Sequence, residues 1–324
     1  MNMLSRVAER VYWLGRYIER VENTARLVSV YGNVLLDLPR PARLVWESLV
    51  AITGNGAEFV ERYARADERN VVKFYLADRS HSSSVMSSVV AARENARTVR
   101  EIVPASMWEG INDLHIYLQD HVDSALARRG RDAFLNHVIQ SCQFIVGCLA
   151  GTMSRDASYQ FLRAGRYLER ADMTSRIVDV GSANVFPWLT RMRADGAVAD
   201  GDDPYEGILW MSVLRSLNAL QMYRRLVPEH VRAERVVTFL VQDEGFPRAI
   251  AHCLQVVRSC LRPLPRNALA MQTAEEALAQ VHAADVGALL QHGLFDFIDA
   301  MQIEFNALHA AIRTTWFLPE AAPA

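Results

Sequence analysis

The chain has 324 residues, of which 51% are hydrophobic and 22% charged, a composition that is typical of folded proteins and excludes wholesale disorder. Its net charge of −2 gives no overall field that would attract nucleic acid or anionic lipid. The four cysteines do not form a disulfide scaffold, and no stretch reaches the roughly 18 uninterrupted apolar residues that a membrane span needs. We therefore expect a soluble, cytoplasmic protein that binds neither nucleic acid nor membrane.

The basic residues restrict the chemistry further, because Lys73 is the single lysine among 35 basic residues. The sequence also lacks a Walker A loop, a G-x-G-x-x-G fingerprint and an H-E-x-x-H metal motif. Nucleotide phosphates are usually held by lysine and a glycine-rich loop. We therefore expect no metal site, no cofactor and no binding of ATP by the isolated protein.

Apolar residues recur at intervals of three and four along most of the chain, which indicates helices. The nearest strand-like stretch, Val71–Leu76, is short. Turn-forming residues predict loops at 38–41, 54–56, 80–84, 191–204 and 262–266. The pattern predicts an all-α helical bundle. In chain order, the predicted helices cover 4–28, 104–126, 133–153, 158–180, 205–226, 248–261 and 294–316.

A long-period repeat relates two parts of the chain. Gly15–Val28 reads GRYIERVENTARLV and Gly165–Val178 reads GRYLERADMTSRIV, so that eight of fourteen positions are identical at an offset of 150. This repeat predicts two related halves, 1–140 and 141–324, within one continuous globular unit. We expect the two repeated segments to pack near each other about a pseudo-two-fold axis.

The repeated segment places polar side chains in one narrow stripe of its helix. At about 100° per residue, Gly15, Glu19, Glu22 and Arg26 line up beside the apolar stripe. At the offset of 150, the equivalent residues are Gly165, Glu169, Asp172 and Arg176. The last two residues of each set form an i,i+4 ion pair.

Two interpretations of this polar stripe stay open. It is either a set of partly buried ion pairs that fixes how the two halves dock, or the lining of a polar cavity for a zwitterionic ligand such as an amino acid or peptide. We assign Arg26 and Arg176 to the first role, since a local carboxylate satisfies each of them. Glu19 and Glu169 have no such dedicated partner, so we assign them to the cavity.

Three motifs carry a resemblance to a known family. They are MLSRVAERVYWLGRYIERVENTARL from Met3, TMSRDASYQFLRAGRYLERADMTSRIVD from Thr152 and FLVQDEGFPRAIAHCL from Phe239. Together they resemble the bacterial alpha-E family, an uncharacterised all-helical domain named for a repeated Glu-Arg motif. The resemblance implies an association with circularly permuted ATP-grasp ligases, often together with transglutaminase-like peptidases, in the synthesis or attachment of small peptides.

The resemblance also marks a candidate substrate-binding site, without assigning any residue a catalytic role. The candidate residues are the motif positions that match, together with Arg16 of the repeat: Arg16, Glu19, Arg20, Glu22, Asn23, Arg26, Arg155, Asp156, Arg163, Arg166, Glu169, Arg170, Asp172, Arg176, Asp243 and Arg248.

The resemblance and the lysine count together predict a non-ATP-using helical partner of an ATP-grasp amide-bond ligase, which binds the ligase or its peptide or amino-acid substrate. The first alternative is an enzyme that acts on the peptide product through the Glu/Asp/Arg cavity. The second is a purely structural homo-oligomer.

Overall fold

The computed structural model describes residues 5–37, 46–180, 206–291 and 293–318, and every regular element within those ranges is helical. The expected all-α class is confirmed. A π-helical turn, Arg313–Phe317, follows the last helix. The helices are α1 Ser5–Asp37, α2 Trp46–Ile52, α3 Gly56–Val60, α4 Glu68–Leu76, α5 Val85–Thr98, α6 Ala105–Ala125, α7 Arg128–Thr152, α8 Ala157–Val180, α9 Glu206–Ser216, α10 Leu220–Leu226, α11 Ala233–Gln242, α12 Ile250–Leu261, α13 Ala268–Ala283, α14 Val286–Gln291 and α15 Leu294–Ile312.

Helices α1 and α8 form the centre of the bundle and carry the two copies of the repeated segment. A Cβ atom at Gly15 would lie 2.1 Å from the carbonyl oxygen of Leu162, and one at Gly165 would lie 2.2 Å from that of Tyr12. Because glycine has no Cβ, the two backbones can approach this closely. The expectation that the repeated segments pack against each other is confirmed.

The other long helices pack around this pair. Helices α5 and α7 pack against α1, whereas α12 and α15 pack against α8. The buried apolar side chains form one continuous core, which extends from Ala8 in α1 to Phe317 after α15. Helix α7 runs without interruption through position 140, where the sequence repeat places the division between the halves.

The structure departs from the sequence pattern at two places. The strand-like stretch 71–76 belongs to the helix α4, in which Val71, Phe74 and Leu76 are buried. A short apolar run does not distinguish a buried helix from a strand, and here the Asp67 side chain caps the helix by accepting a hydrogen bond from the Asn70 amide. The predicted helix 205–226 is interrupted at Asn218, whose φ of 53° is left-handed.

The predicted loops at 54–56, 80–84 and 262–266 separate helices, although Gly56 is already the first residue of α3. Gly54 has a φ of 72°, a conformation that favours glycine. Ser84 ends its loop by capping α5 through the amide of Ser87. The predicted loops 38–41 and 191–204 lie outside the described residues.

Helix α7 is long and apolar enough, by length and composition, to cross a membrane. One such helix is weak evidence for a membrane span, since core helices of soluble proteins pass the same test. One face of α7 is buried in the bundle through Phe134, Val138, Cys142, Ile145 and Leu149. That spacing is the buried stripe of a helix that packs on one face.

Candidate functional site

Glu19 of α1 lies at the centre of a group of arginines. Its carboxylate accepts two hydrogen bonds from Arg170, at 2.6 and 2.7 Å, and one from the Nε of Arg166 at 3.0 Å. Arg248 adds a contact of 3.2 Å, and the side chain of Glu19 is fully buried. Burial opposes ionisation, but Arg170, Arg248 and Arg166 hold the pKa of Glu19 well below its usual value.

Glu169 of α8 has the corresponding position on the opposite helix. It accepts hydrogen bonds from Arg16 at 2.7 Å and from Arg20 at 2.5 and 2.9 Å. Burial raises the pKa of this carboxyl, but the charges of Arg20 and Arg16 outweigh it and lower the pKa of Glu169 to about 2. Both glutamates are therefore ionised at neutral pH, and each is held by the other helix's arginines.

The two sets of contacts are related by the offset of the sequence repeat. Glu19 pairs with Arg166 and Arg170, and Glu169 pairs with Arg16 and Arg20, so each residue lies 150 positions from its counterpart. The expectation that Glu19 and Glu169 lack dedicated partners is therefore wrong. A helical wheel describes only neighbours on the same helix, and these partners come from the opposite one.

Arg248, in the loop before α12, also binds Glu19 but belongs to neither copy of the repeated segment. Its guanidinium donates to the Asn23 side chain at 2.6 Å and to Glu22 at 2.7 Å, in addition to Glu19. Its backbone carbonyl accepts a hydrogen bond from Thr174 at 2.9 Å, which fixes the loop to α8. Burial and the charge of Arg170 lower the pKa of Arg248, which is the direction expected where positive charges crowd together.

The two predicted i,i+4 pairs form as expected. Arg26 donates to Glu22 at 2.9 Å, and Arg176 donates to Asp172 at 3.0 and 3.2 Å. Arg176 also donates to the carbonyl oxygen of Thr53, before α3, at 3.1 Å. Each helix therefore contributes a local pair as well as pairs that cross to the other helix.

We call this group of side chains the arginine–carboxylate cluster. Among the described residues, it holds more guanidinium groups than carboxylates. Its carboxylates are Glu19, Glu22, Glu169 and Asp172, and its arginines are Arg16, Arg20, Arg26, Arg166, Arg170, Arg176 and Arg248.

Four of the charged candidate residues lie outside the ion pairs of the cluster. Arg155 donates to the carbonyl oxygen of Ala150, and Asp156 accepts a hydrogen bond from the Tyr159 amide at the start of α8. Asp243 accepts hydrogen bonds from the amides of Gly245 and Phe246, which shapes the loop before Arg248. Arg163 lies beside the Tyr167 ring, one turn before Arg166 and two turns before Arg170.

Three aromatic residues and a histidine at the edge of the cluster were not among the candidates. The Arg16 guanidinium lies 5.3 Å from the centroid of the Trp13 ring, and that of Arg20 lies 5.7 Å from the centroid of Tyr17. The Tyr12 hydroxyl lies 3.0 Å from Nδ1 of His309, in α15. The three aromatic residues lie within the first motif, so the sequence could have identified them as candidates. No motif surrounds His309, so the sequence offered no reason to select it.

Burial and the charge of Arg16 lower the pKa of His309 to about 4, so that its imidazole is neutral at pH 7. Within 5–37, 46–180, 206–291 and 293–318, no group of three or more His, Cys, Asp or Glu side chains is placed to hold a metal ion. The cluster therefore has ionised carboxylates in its interior and guanidinium donors at its edges.

Comparison with known proteins agrees with the motif pattern. The model of the Alpha-E family, described as a predicted alpha-helical domain with a conserved ER motif, matches residues 3–317. Two uncharacterised proteins, of Mycobacterium bovis and Mycobacterium tuberculosis, are each 22% identical over 280 residues. The match covers 80% of this chain but only 30% of each relative, and no solved structure matches.

The repeated segment carries a Glu-Arg pair in each copy, Glu19-Arg20 and Glu169-Arg170, and these pairs exchange ion pairs across α1 and α8. With the family match extending over nearly the whole chain, the chain belongs to the Alpha-E family.

Proposed function

We propose that this chain is a non-ATP-using helical partner of an ATP-grasp amide-bond ligase, and that it binds the ligase or its peptide or amino-acid substrate at the edges of the arginine–carboxylate cluster. The observation that carries the proposal is the excess of guanidinium groups over carboxylates in a largely buried cluster. Buried charge of one sign is costly unless a counter-charge is bound. A carboxylate of a peptide or of a partner protein would supply that charge.

The free donors lie at the edges. Arg16 donates its Nε to Glu169 and also lies within hydrogen-bonding reach of the Tyr12 hydroxyl. Arg166 donates its Nε to Glu19, and the two arginine side chains stay 11% and 13% exposed. A guanidinium presents five N–H donors in a planar fork, which suits a carboxylate. Arginines that are half satisfied from within can therefore bind a second carboxylate from outside.

The carboxylates are suited to a different task. Glu19 and Glu169 are enclosed and stay ionised far below neutral pH, so they are poor proton donors or acceptors for catalysis. We infer that they hold the arginines in place and fix how α1 docks on α8. This favours a binding role over an enzyme that acts on the peptide product through these carboxylates.

The relatives support a function exercised together with another protein domain. Because the match covers 30% of each mycobacterial relative, most of each relative's length lies outside the region that this chain resembles. In a longer protein an Alpha-E region can act beside a second domain of the same chain. We propose that the present chain acts together with its ligase in the cytoplasm, with a transglutaminase-like peptidase as a further partner.

We infer further that the two halves are related by a pseudo-two-fold axis between α1 and α8. The reciprocal approach of Gly15 to Leu162 and of Gly165 to Tyr12 supports this, since both pairs obey the offset of 150. The exchanged Glu-Arg pairs support it in the same way. The alternative of a structural homo-oligomer is tested by measuring the mass of the chain in solution.

The experiment that tests the proposed function is co-purification of this chain with the ATP-grasp ligase encoded beside it. ATP turnover is then measured with and without the chain. We expect a complex and a change in substrate-dependent ATP turnover. Arg16→Gln should weaken both effects. Arg97→Gln, which removes an arginine from an exposed ion pair on α5, should leave both unchanged. Unchanged turnover together with no complex would contradict the proposal.

A further inference from the structure

The two edges of the cluster differ in one substitution. At the edge formed by α1, Arg16 and Arg20 lie beside Trp13 and Tyr17. At the edge formed by α8, the position 150 residues after Trp13 is Arg163. The second edge therefore has a cation where the first has an indole ring. We call the second edge the Tyr167 rim and define it by Arg163, Arg166, Tyr167 and His252.

Three guanidinium groups surround the ring of Tyr167. The Cζ atoms of Arg163, Arg166 and Arg170 lie 5.6, 5.4 and 5.0 Å from its centroid. Each of the three nitrogens of Arg170 donates a hydrogen bond, two of them to Glu19 and one to the carbonyl oxygen of Pro247. Free N–H donors at this rim therefore belong to the other two arginines.

Arg163 has no carboxylate partner in the part of the chain that the structure describes; its polar neighbour is the Cys260 thiol. Arg166 gives one N–H to Glu19, and its terminal amino groups make no hydrogen bond to the described residues. Positions 163 and 166 are one turn apart on α8, and both guanidinium groups lie beside the Tyr167 ring. This half-buried surface carries more positive than negative charge among the described side chains, because Arg166 shares the carboxylate of Glu19 with Arg170 and Arg248.

His252 adds a further polar group at the rim. Its ring centroid lies 6.0 Å from that of Tyr167, and its Nδ1 lies 2.7 Å from the carbonyl oxygen of Glu244. A carbonyl oxygen only accepts, so Nδ1 carries the proton and donates. The side-chain carboxylate of Glu244 contacts Nε2 of His282 at 3.2 Å.

We propose that the Tyr167 rim is a binding site for an oxyanion, a carboxylate or phosphate group, held by the forks of Arg163 and Arg166 against the face of Tyr167. Planar guanidinium groups bind such anions through paired charge-assisted hydrogen bonds. The interpretation of this site as the substrate-binding part of the cluster rests on the proposed function. Its binding to a small oxyanion is measured on the isolated chain, so that either proposal can fail without the other.

The test is calorimetric titration of the whole chain with three probes: N-acetyl-dialanine with a free carboxylate, the same peptide as its C-terminal amide, and inorganic phosphate. We expect the free carboxylate or phosphate to bind and the amide not to bind. Arg163→Gln should weaken binding by about tenfold or more, as the loss of charge-assisted hydrogen bonds predicts. Arg97→Gln removes the same charge from α5 and should leave the affinity unchanged.

If the free-acid peptide binds, the anion is a peptide carboxylate, and if inorganic phosphate binds, it is a phosphate group. Either result supports the site. The proposal is overturned if neither anion binds, if the amide binds as well as the acid, or if both variants weaken binding equally. A second measurement avoids mutation: the bound oxyanion should slow modification of Arg163 by phenylglyoxal, read by mass spectrometry, and leave Arg97 unaffected. Equal protection or no protection at Arg163 would count against the site.

Discussion

Both carboxylate oxygens of Glu19 accept hydrogen bonds from Arg170, at 2.6 and 2.7 Å, although 151 residues separate the two positions. Glu19 is fully buried, so the pair gains its Coulomb energy at a large cost in desolvation. Such pairs fix how elements dock more than they stabilise the fold. The Glu19–Arg170 contact therefore specifies the placement of α8 on α1.

Removing this carboxylate should destabilise the protein strongly. Glu19→Gln leaves Arg166, Arg170 and Arg248 without their shared counter-charge, and breaking a buried pair in this way costs about 3–5 kcal/mol. We expect that loss in the free energy of unfolding, measured by urea denaturation. Glu94→Gln, in the exposed pair with Arg97, is the control and should leave the transition midpoint almost unchanged. A Glu19→Gln protein as stable as the wild type would contradict the structural role of Glu19.

The glycines at the helix crossing give a second prediction. Gly165→Ala places a Cβ against the Tyr12 carbonyl oxygen, so α1 and α8 must separate, and overpacking of this kind costs about 1–3 kcal/mol. Gly147, on the exposed face of α7, has nothing within 4 Å of its Cβ position. Gly147→Ala should instead stabilise the helix by up to about 1 kcal/mol. Thermal unfolding of both variants checks the opposite signs, and a shift in the same direction would argue against the close crossing.

Acid should destabilise the fold through Glu169. Its pKa is about 2 in the folded protein against 4.5 ordinarily, so its contribution is present above pH 4.5 and lost as the pH falls toward 2. That shift corresponds to roughly 3 kcal/mol. In Glu169→Gln the free energy of unfolding should depend less steeply on pH between 4.5 and 2. An unchanged slope would show that Glu169 is not held by Arg16 and Arg20 in solution.

His309 should also make the stability of the fold depend on pH, in a higher pH range than Glu169. Burial and Arg16 lower its pKa to about 4 from 6.5, so the unfolded chain binds a proton more readily than the folded one. Stability should therefore fall as the pH decreases from 6.5 to 4, and His309→Gln should reduce that fall. NMR titration of the imidazole gives the direct measurement, and a midpoint near 6.5 would contradict the buried contact with Tyr12.

Nucleotide binding gives the last prediction. With Lys73 as the single lysine and no glycine-rich phosphate loop, the isolated chain should show no heat of binding with Mg-ATP in calorimetry. In the presence of the ligase, the heat should be that of the ligase alone. A micromolar dissociation constant for the isolated chain would mean that its arginines bind nucleotide phosphates without the usual lysine.

The sequence was sufficient for the elements with strong local signals. The 3.6-residue period identified α1, α6, α7, α8, α12 and α15, because a long amphipathic stripe permits one secondary structure. It missed α4, where five of nine residues are buried apolar residues in one short run. It also missed the break at Asn218, since a left-handed residue leaves no mark on the hydrophobic period.

By itself the sequence determined the helical class, the repeat, and the local pairs Glu22–Arg26 and Asp172–Arg176, since all of these depend on residues that are near one another in the chain or identical at one offset. Only the tertiary structure decided the partners of Glu19 and Glu169 and the arrival of Arg248 beside them. A helix fixes its own i,i+4 neighbours, but which side chains meet across two helices depends on the crossing, and here two glycines and a loop before α12 set that geometry.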